Sequence, residues 1–374
     1  MQYRKFGQVD FKVSALGFGA MRFPVNNDDY SDIVEDEAIK MMRYAIDRGV
    51  NYIDTAWPYH QGSSELVVAK ALKDGYREKV KVATKLPSWE IKEEKDMDKY
   101  LNKQLEKLEI ECIDFYLLHA LNKERWEKYK ELNVFDWIEK IIDEGKIEHI
   151  GFSFHGEYEV FEEIIDAYDW DFCQIQYNYL DEEYQAGKKG MKYAYEKGIA
   201  VIIMEPLRGG TLAVEPPKEV KEVFNKSKWV RTPADWALQW LWDQEEVSLV
   251  LSGMSNMQQV KENIESADKS AINKFSDEER DIIDNIKDRL RGPITCTRCG
   301  YCMPCPNGVD IPQNFFLYNE AEIYDKSNEN KERYQKLDSD KKAENCIRCG
   351  KCEPACPQNL KIMDLLEDVA AALA

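Results

Sequence analysis

The chain has no cluster of lysine and arginine, no apolar stretch near the roughly 18 residues that a membrane helix needs, and only two cysteines in its first 295 residues. Each shortage excludes something. Acidic residues number 70 against 51 basic, a formal net charge of −19, and without a basic surface to meet phosphates nucleic acid is excluded as a partner. Basic or neutral partners fit better. The missing apolar stretch excludes a membrane-spanning helix. The opening residues MQYRKFGQVDFKVSALGFG carry no uninterrupted apolar core ahead of a small-residue cleavage site, so no signal peptide is expected and the expected location is the cytoplasm. The two early cysteines, Cys112 and Cys173, lie in apolar strand-like contexts and read as core packing.

At 374 residues the chain is too long for one small domain and suits a barrel of about 250 residues plus an appendage. Hydrophobic residues at 44% and charged residues at 32% can fill a core and solvate its surface. Eight strand-like runs, SALGFGAM, NYIDTA, VKVATKL, IDFYLLH, HIGFSF, FCQIQYN, IAVIIME and VSLVLSG, alternate with helical patterns such as Glu35 to Arg48 and Lys95 to Leu108. Most of the runs are nearly continuously apolar, the pattern of a parallel sheet covered on both faces. Eight βα units in succession predict an α/β fold, a (β/α)8 TIM barrel, over residues 1–290. Residues 1–13 alternate polar and apolar around Gly7 and predict a hairpin capping the barrel floor. A further helix is predicted from Ser276, its N-cap, to Arg289, with Gly292 and Pro293 as stop and hinge. Residues 291–374 then hold the other eight cysteines, and the polar stretch NENKERYQKLDSDKKAE between them reads as a solvated helix or loop.

Reacting groups of such a barrel sit where strands end at the carboxyl face. Asp54 ends the second run, Tyr59 follows it by five residues, Lys85 ends the third and His119 ends the fourth. Each is a polar group at the tip of an apolar strand. A phenol is a poor acid near neutral pH, but a neighbouring ammonium favours its ionised form. In this reading Asp54 holds Lys85 charged, Lys85 acidifies Tyr59, His119 positions the reacting oxygen, and Tyr59 gives its proton to a carbonyl as hydride arrives at carbon. His60 and His155 are placed to face the same pocket, His149 opens a strand at the opposite face and reads as structural, and Trp57, Trp89, Tyr177 and Tyr179 suggest either a partly apolar pocket or packing between helices.

With these residues the sequence resembles the aldo-keto reductase family, on NYIDTAWPY, ATKL, DFYLLH, GFSFH and GMSNMQQVKEN, from residue 1 to about 270. The resemblance implies that Asp54, Tyr59, Lys85 and His119 form a catalytic tetrad, that the substrate is a small carbonyl or alcohol, and that NADP(H) supplies or accepts hydride. It implies Ser153 and Gln174 as holders of the nicotinamide carboxamide and Asn263 as the adenine-side contact. The lysine, serine and arginine that grip the NADPH 2′-phosphate in that family are here Gly253, Met254 and Gln259. Phe154 stands where an asparagine follows the carboxamide serine, and Met204 where an aromatic ring stacks on the nicotinamide. A phosphate without cations loses its charge-assisted hydrogen bonds, so NAD(H), NADP(H) held by Arg208 or Arg231, and a flavin all stay open as cofactors.

The two cysteine runs, CTRCGYCMPCP and CIRCGKCEPACP, each place thiols at i, i+3 and i+6, with a fourth just before proline. They resemble the two-cluster bacterial ferredoxin pattern, in which the last cysteine of each run binds the other run's cluster. That resemblance implies a mainly α ferredoxin-like domain in which Cys296, Cys299, Cys302 and Cys356 hold one [4Fe-4S] cluster and Cys346, Cys349, Cys352 and Cys305 hold a second. The first run departs from the pattern, with two residues rather than three ahead of Cys305. Zinc, which also takes cysteine quartets, is the competing reading. Hydride moves two electrons whereas a cubane passes one, so three functions are expected to compete: a carbonyl reductase whose clusters exchange electrons with a redox protein partner, a flavin-linked electron-transfer enzyme, and a non-catalytic redox-sensing or nucleotide-binding subunit.

Overall fold

A computed structural model describes residues 1–27, 29–324 and 326–374. Among the described residues ten strands are present: β1 (Tyr3–Phe6), β2 (Val9–Ser14), β3 (Leu16–Gly19), β4 (Tyr52–Asp54), β5 (Lys81–Leu86), β6 (Ile113–Leu121), β7 (Ile147–Phe154), β8 (Phe172–Gln176), β9 (Ala200–Met204) and β10 (Val247–Gly253). β1 and β2 form the antiparallel hairpin expected at the amino terminus. The other eight close a parallel barrel in the order β10-β3-β4-β5-β6-β7-β8-β9, so all eight predicted strands are in place. Among the described residues no helix is long and apolar enough to cross a membrane.

The hairpin plugs the barrel floor. The Phe6 ring lies 4.9 Å from Phe115, 5.8 Å from Phe172 and 6.2 Å from Tyr52, and Arg4 donates to the carbonyls of Trp242, Gln244 and Val247. Burying rings of this size stabilises the fold by about 1.5–3 kcal/mol each. With the amino-terminal end filled, only the carboxyl ends of the strands are left to build a site. The outer helices follow the sequence periodicity. In Glu94–Leu108, Met97, Tyr100, Leu101, Gln104 and Leu108 form the buried stripe, a capping box between Glu93 and Asp96 starts the helix, and Glu109 in the left-handed region ends it.

By contact the chain divides into two compact units, Met1–Pro206 with Asp235–Lys274, and Leu207–Ala234 with Phe275–Ala374. The second unit therefore takes in the segment after β9 and the helix Asp277–Leu290, both on the barrel side of the boundary expected at 290/291. Physical contacts explain this grouping. Arg231 forms a buried ion pair with Glu279 of that helix, and Gly209 packs so tightly on the first cysteine run that a Cβ there would lie 2.2 Å from the Thr297 carbonyl oxygen. The unit's core joins Ile294, Val309, Ile311, Phe315, Leu317, Ile362, Leu366, Val369 and Leu373, with Cys296, Cys302, Cys305, Cys346, Cys352 and Cys356 packed against it. The polar stretch between the runs forms the helix Ser327–Gln335 and two short turns, but is not wholly solvated, because Tyr334 and Ala343 are buried in the same core.

Candidate functional site

Strand register places the first three site residues side by side. Asp54 is the last residue of β4 and pairs with Gly19 on one side and Ala83 on the other; two residues past Ala83, on β5, comes Lys85. The chain after Asp54 turns sharply, which brings Tyr59 back over the barrel mouth. Lys85 Nζ donates to both Asp54 carboxylate oxygens at 2.7 Å, to the Thr55 carbonyl at 2.9 Å and to Tyr59 Oη at 3.4 Å. Burial pushes the Asp54 carboxyl up and the Lys85 ammonium down from their ordinary values, and the contact between them opposes both shifts. Beneath Lys85 a second buried carboxylate, Glu65, accepts from Thr84 and Gln104 at 2.7 Å each, and Gln104 also donates to the Lys85 carbonyl. Burial raises the Glu65 carboxyl. No sequence signal separated Glu65 from an ordinary surface helix residue.

His119 reaches the site through a local irregularity. The β6–β7 register shifts between Leu118 and Leu121, and Ala120 between them has φ +53°, a left-handed conformation that costs an alanine roughly 1–2 kcal/mol. Two side chains hold this bulge: the Ala120 N–H donates to Ser153 Oγ at 2.7 Å, and Arg125 donates to the Ala120 carbonyl at 2.6 Å. The His119 ring consequently lies 6.3 Å from the Tyr59 ring and 5.0 Å from Trp89. Burial first, then the charges of Lys85, Arg125 and His155, hold its imidazole well below the ordinary value, so it is neutral near pH 7.

The remaining histidines divide. His60 is fully buried, its Nδ1 bonded to the Tyr30 carbonyl at 2.7 Å and its Nε2 accepting the Phe23 N–H at 3.2 Å. It ties two loops together and has no nitrogen left for chemistry. Burial, aided by Arg22, lowers its pKa to about 4. The unfolded imidazole takes up a proton near pH 6.5 and the folded one only near pH 4, so stability falls as pH drops through that window. We expect wild type to lose roughly 2 kcal/mol more than His60→Gln in urea unfolding between pH 7 and pH 5. His155 sits at the end of β7 with Nδ1 3.1 Å from Gln185, and burial brings its pKa to about 4. His149 stacks on Phe115 at the floor, as expected. Tyr177 and Tyr179 are buried and pack on Trp240, Trp57 packs on Tyr100, and Trp89 packs on His119. Cys173 is buried as expected, whereas Cys112 stays half-buried just ahead of β6.

The candidate nucleotide contacts gather around β7, β8, β9 and β10. Gln174 is buried, its Nε2 3.6 Å from Met204 Sδ, and its Oε1 has no partner among the described residues, which fits an amide N–H from a ligand. Asn263 is buried and donates to Ser252 Oγ at 3.0 Å, and Gln259 Oε1 accepts from the Ser255 N–H at 2.7 Å. Met254 is buried. Phe154 packs on Phe161 in the helical layer, 5.2 Å away, so its departure from the family pattern is a matter of core packing and gives no support to a flavin. Arg231 is bound to Glu279. Gly253 is explained by a neighbour: a Cβ there would lie 2.5 Å from Arg22 Cγ, so the stem of Arg22 lies where a side chain at 253 would begin. Arg22 was missed in the sequence because it precedes β10 by more than two hundred residues.

In the second unit the two cysteine quartets implied by the ferredoxin resemblance each line one cavity. Cys296, Cys299, Cys302 and Cys356 line the first, and Cys346, Cys349, Cys352 and Cys305 the second, which Cys302 also borders. The two runs wind alike: Arg298 and Gly300 have φ +55° and +78°, Arg348 and Gly350 +51° and +72°. Glycine serves where a side chain rarely adopts that backbone. The Arg298 N–H points at Cys296 Sγ, 3.4 Å away. Burial and the neighbouring thiols raise the Cys302 thiol far above its ordinary value. Among the described residues no three His, Cys, Asp or Glu side chains converge as around a single metal ion.

Comparison with known proteins places these features in context. Residues 15–288 match the model of the aldo/keto reductase family, and residues 295–360 that of a 4Fe-4S dicluster domain. A probable aldo-keto reductase of Glycine max is 27% identical over 70% of this chain and 82% of its own length, and an L-galactose dehydrogenase of Arabidopsis thaliana is 27% identical over 71% and 87%. Among solved structures, an aldo-keto reductase from Bacillus halodurans in its holo form superposes with a TM-score of 0.64 at 25% identity, over 76% of this chain and 96% of that one. A Klebsiella pneumoniae aldo/keto reductase in complex with NADP and acetate, 22% identical over 76% and 95%, shares the fold with a TM-score of 0.61. The chain is an oxidoreductase that belongs to the aldo/keto reductase family and carries a 4Fe-4S dicluster domain at its carboxyl end.

Proposed function

We propose that the barrel interconverts a carbonyl and an alcohol, with Tyr59 Oη as the proton donor and a nicotinamide coenzyme as the hydride partner, and that the second unit holds two [4Fe-4S] clusters. The observation that carries this reading is the buried Lys85 ammonium, fixed by three protein oxygens of Asp54 and Thr55 and aimed at Tyr59 Oη. A cation beside a phenol favours the phenolate and so eases proton release. Asp54 keeps that cation in place, and removing either member of a buried pair strands the other. Neutral His119 can donate a hydrogen bond to the carbonyl oxygen and orient it toward Tyr59. Ser153 and Gln174 would hold the carboxamide, Met204 would border the nicotinamide and Asn263 the adenine.

When bound, the nicotinamide supplies or accepts the hydride. For the clusters, Cys296, Cys299, Cys302 and Cys356 would ligate one and Cys346, Cys349, Cys352 and Cys305 the other; each supplies one-electron transfer when present, and a redox protein is the partner this implies. Anaerobically purified protein is the material for the test. It should contain about eight iron and eight sulfide with broad visible absorption, oxidise NADPH or NADH with aldehydes, and show no flavin fluorescence. Zinc in place of iron, or no turnover of any carbonyl or alcohol, would reject the corresponding half of the reading.

Gly253, Met254 and Gln259 supply no cation for a 2′-phosphate, but Arg22 lies against Gly253 within the barrel unit. We take Arg22 as the residue that receives the phosphate, which makes NADP(H) the preferred coenzyme over NAD(H). A hydrogen bond to a charged group contributes about 1.5–3 kcal/mol, so Arg22→Met is expected to weaken NADPH binding roughly tenfold or more and to leave NADH binding nearly unchanged, read by fluorescence titration. Equal losses for both coenzymes would show that Arg22 has only a packing role.

A further inference from the structure

Glu65, the carboxylate beneath Lys85, lies in the helix Ser64–Ala71 and is fully buried. Its Oε1 accepts from Thr84 Oγ1 and from Gln104 Nε2 at 2.7 Å each, and its Oε2 lies 3.4 Å from Lys107 Nζ. Tyr116 Oη of β6 donates to Gln104 Oε1 at 2.7 Å, which turns the Gln104 amide nitrogen toward Glu65, toward Thr84 Oγ1 at 3.1 Å and toward the Lys85 carbonyl at 3.0 Å. Each of these neighbours gives a hydrogen to Glu65, and an ammonium can accept none in return, so the bonds are those of an ionised carboxylate. A buried ion pair is poor value as a packing device, because apolar residues of the same volume often fold as well or better. The contacts of Lys107 point to a further role. Past Tyr59 the backbone runs through His60, Gln61 and Gly62 at φ +51°, +52° and +94°. Lys107 Nζ donates to the Gly62 carbonyl at 2.9 Å and lies 3.9 Å from the centre of the Trp57 ring, so it grips the chain on both sides of Tyr59. Glu65 thus joins the strand that carries Lys85 to the turn that carries Tyr59.

We propose that Glu65 is a positioning residue for the proton transfer: through Gln104 it fixes β5 at Lys85, through Lys107 it fixes the turn that carries Tyr59, and its negative charge steadies the Lys85 ammonium. This rests on the carbonyl-reductase reading of Tyr59 and Lys85 and adds a residue to it. The groups that face Lys85 are Asp54 from β4, Tyr59 from the turn, His119 from β6 and Glu65; Lys107 and Tyr116 face Glu65 itself. Burial lowers the Lys85 ammonium, and Asp54 and Glu65 act against that. A nearby negative charge favours the protonated form of Lys85 and of Tyr59 alike, since either group becomes more negative on losing its proton. The two are close enough to titrate as a pair. Carbonyl reduction needs both protonated, so activity falls as pH rises through the pair. Loss of the Glu65 charge moves that fall to lower pH.

Two variants of the full chain separate charge from position. Glu65→Gln keeps the shape and can still accept from Thr84 and Gln104, but carries no charge. We expect the alkaline limb of its kcat profile, for aldehyde reduction at saturating coenzyme, to move to lower pH by about half a unit, less than the one to three units of a charge in direct contact. Glu65→Asp keeps the charge but is too short to reach both Gln104 and Lys107. Its alkaline limb should stay where the wild type has it, while kcat on the plateau falls about tenfold. A readout without turnover comes from carbon-13 labelling of the lysine ε carbons. The Lys85 signal, identified by its loss in Lys85→Arg, should titrate at lower pH in Glu65→Gln than in wild type. A merely structural Glu65 would lower the melting temperature of Glu65→Gln and leave the alkaline limb and the Lys85 titration unmoved, and that result would overturn the proposal. If the wild type turned over no carbonyl or alcohol, the carbonyl-reductase reading would fall instead, and the Lys85 signal would still decide whether Glu65 acts on the ammonium.

Discussion

Tyr59→Phe is expected to lower carbonyl turnover by about a thousandfold, the middle of the range for loss of a positioned general acid, while coenzyme affinity and iron content stay as in the wild type. The substitution removes one atom. The ring keeps its place, 94% buried and with the Lys85 ammonium 5.0 Å from its centroid, so packing changes little and the lost hydrogen bond costs about 1 kcal/mol of stability. Lys85→Met makes a useful contrast. It leaves the Asp54 carboxylate buried without its cation, which costs about 3–5 kcal/mol, so activity and thermal stability should fall together. Steady-state rates at saturating coenzyme, fluorescence titration and a melting curve separate the two variants. Turnover of Tyr59→Phe within tenfold of wild type would remove Tyr59 as the proton donor and leave the cluster of charges in search of another acid.

What could be read in the sequence was what neighbouring residues dictate. The eight strands were legible because a two-sided burial makes a strand apolar throughout, and the polar tips Asp54, Lys85 and His119 stood out against that background. The helix Asp277–Leu290 was legible from the Ser276 cap. The two cysteine runs were legible because their spacing is local and their prolines mark the ends. What escaped depends on chain closure. Arg22 meets Gly253 only because β10 pairs with β3. The Ala120 bulge that aims His119 rests on an alanine at φ +53°, a residue with no sequence preference for that conformation. His60 resembled a catalytic group beside Tyr59 until both its nitrogens were found bound to backbone. The segment Leu207–Ala234 lies inside the expected 1–290 barrel, and its membership of the cysteine-rich unit comes from a packing contact at Gly209 and an ion pair at Arg231 that no local pattern announces.

The exchange of the last cysteine between runs is open to a test in which two pairings predict opposite outcomes. Cys349 is exposed and lies in the middle of the second run, so Cys349→Ala removes a ligand from that run's cluster under either pairing. The double variant Cys349→Ala with Cys305→Ala strikes the same cavity twice if the runs exchange, because Cys305 lines it together with Cys346, Cys349 and Cys352. About four iron per chain should then remain. Cys349→Ala with Cys356→Ala strikes both cavities, since Cys356 lines the other one with Cys296, Cys299 and Cys302, and nearly all iron should be lost. If each run kept its own fourth cysteine, the two results would be reversed. The same variants report on folding. Cysteines of both quartets pack on one core of Ile311, Phe315, Leu366 and Val369, and a unit this small has little apolar area to spare. Loss of both clusters should therefore remove hydrogen-exchange protection from the helices Ile311–Ile323 and Ile362–Leu373, and loss of one should weaken it only partly.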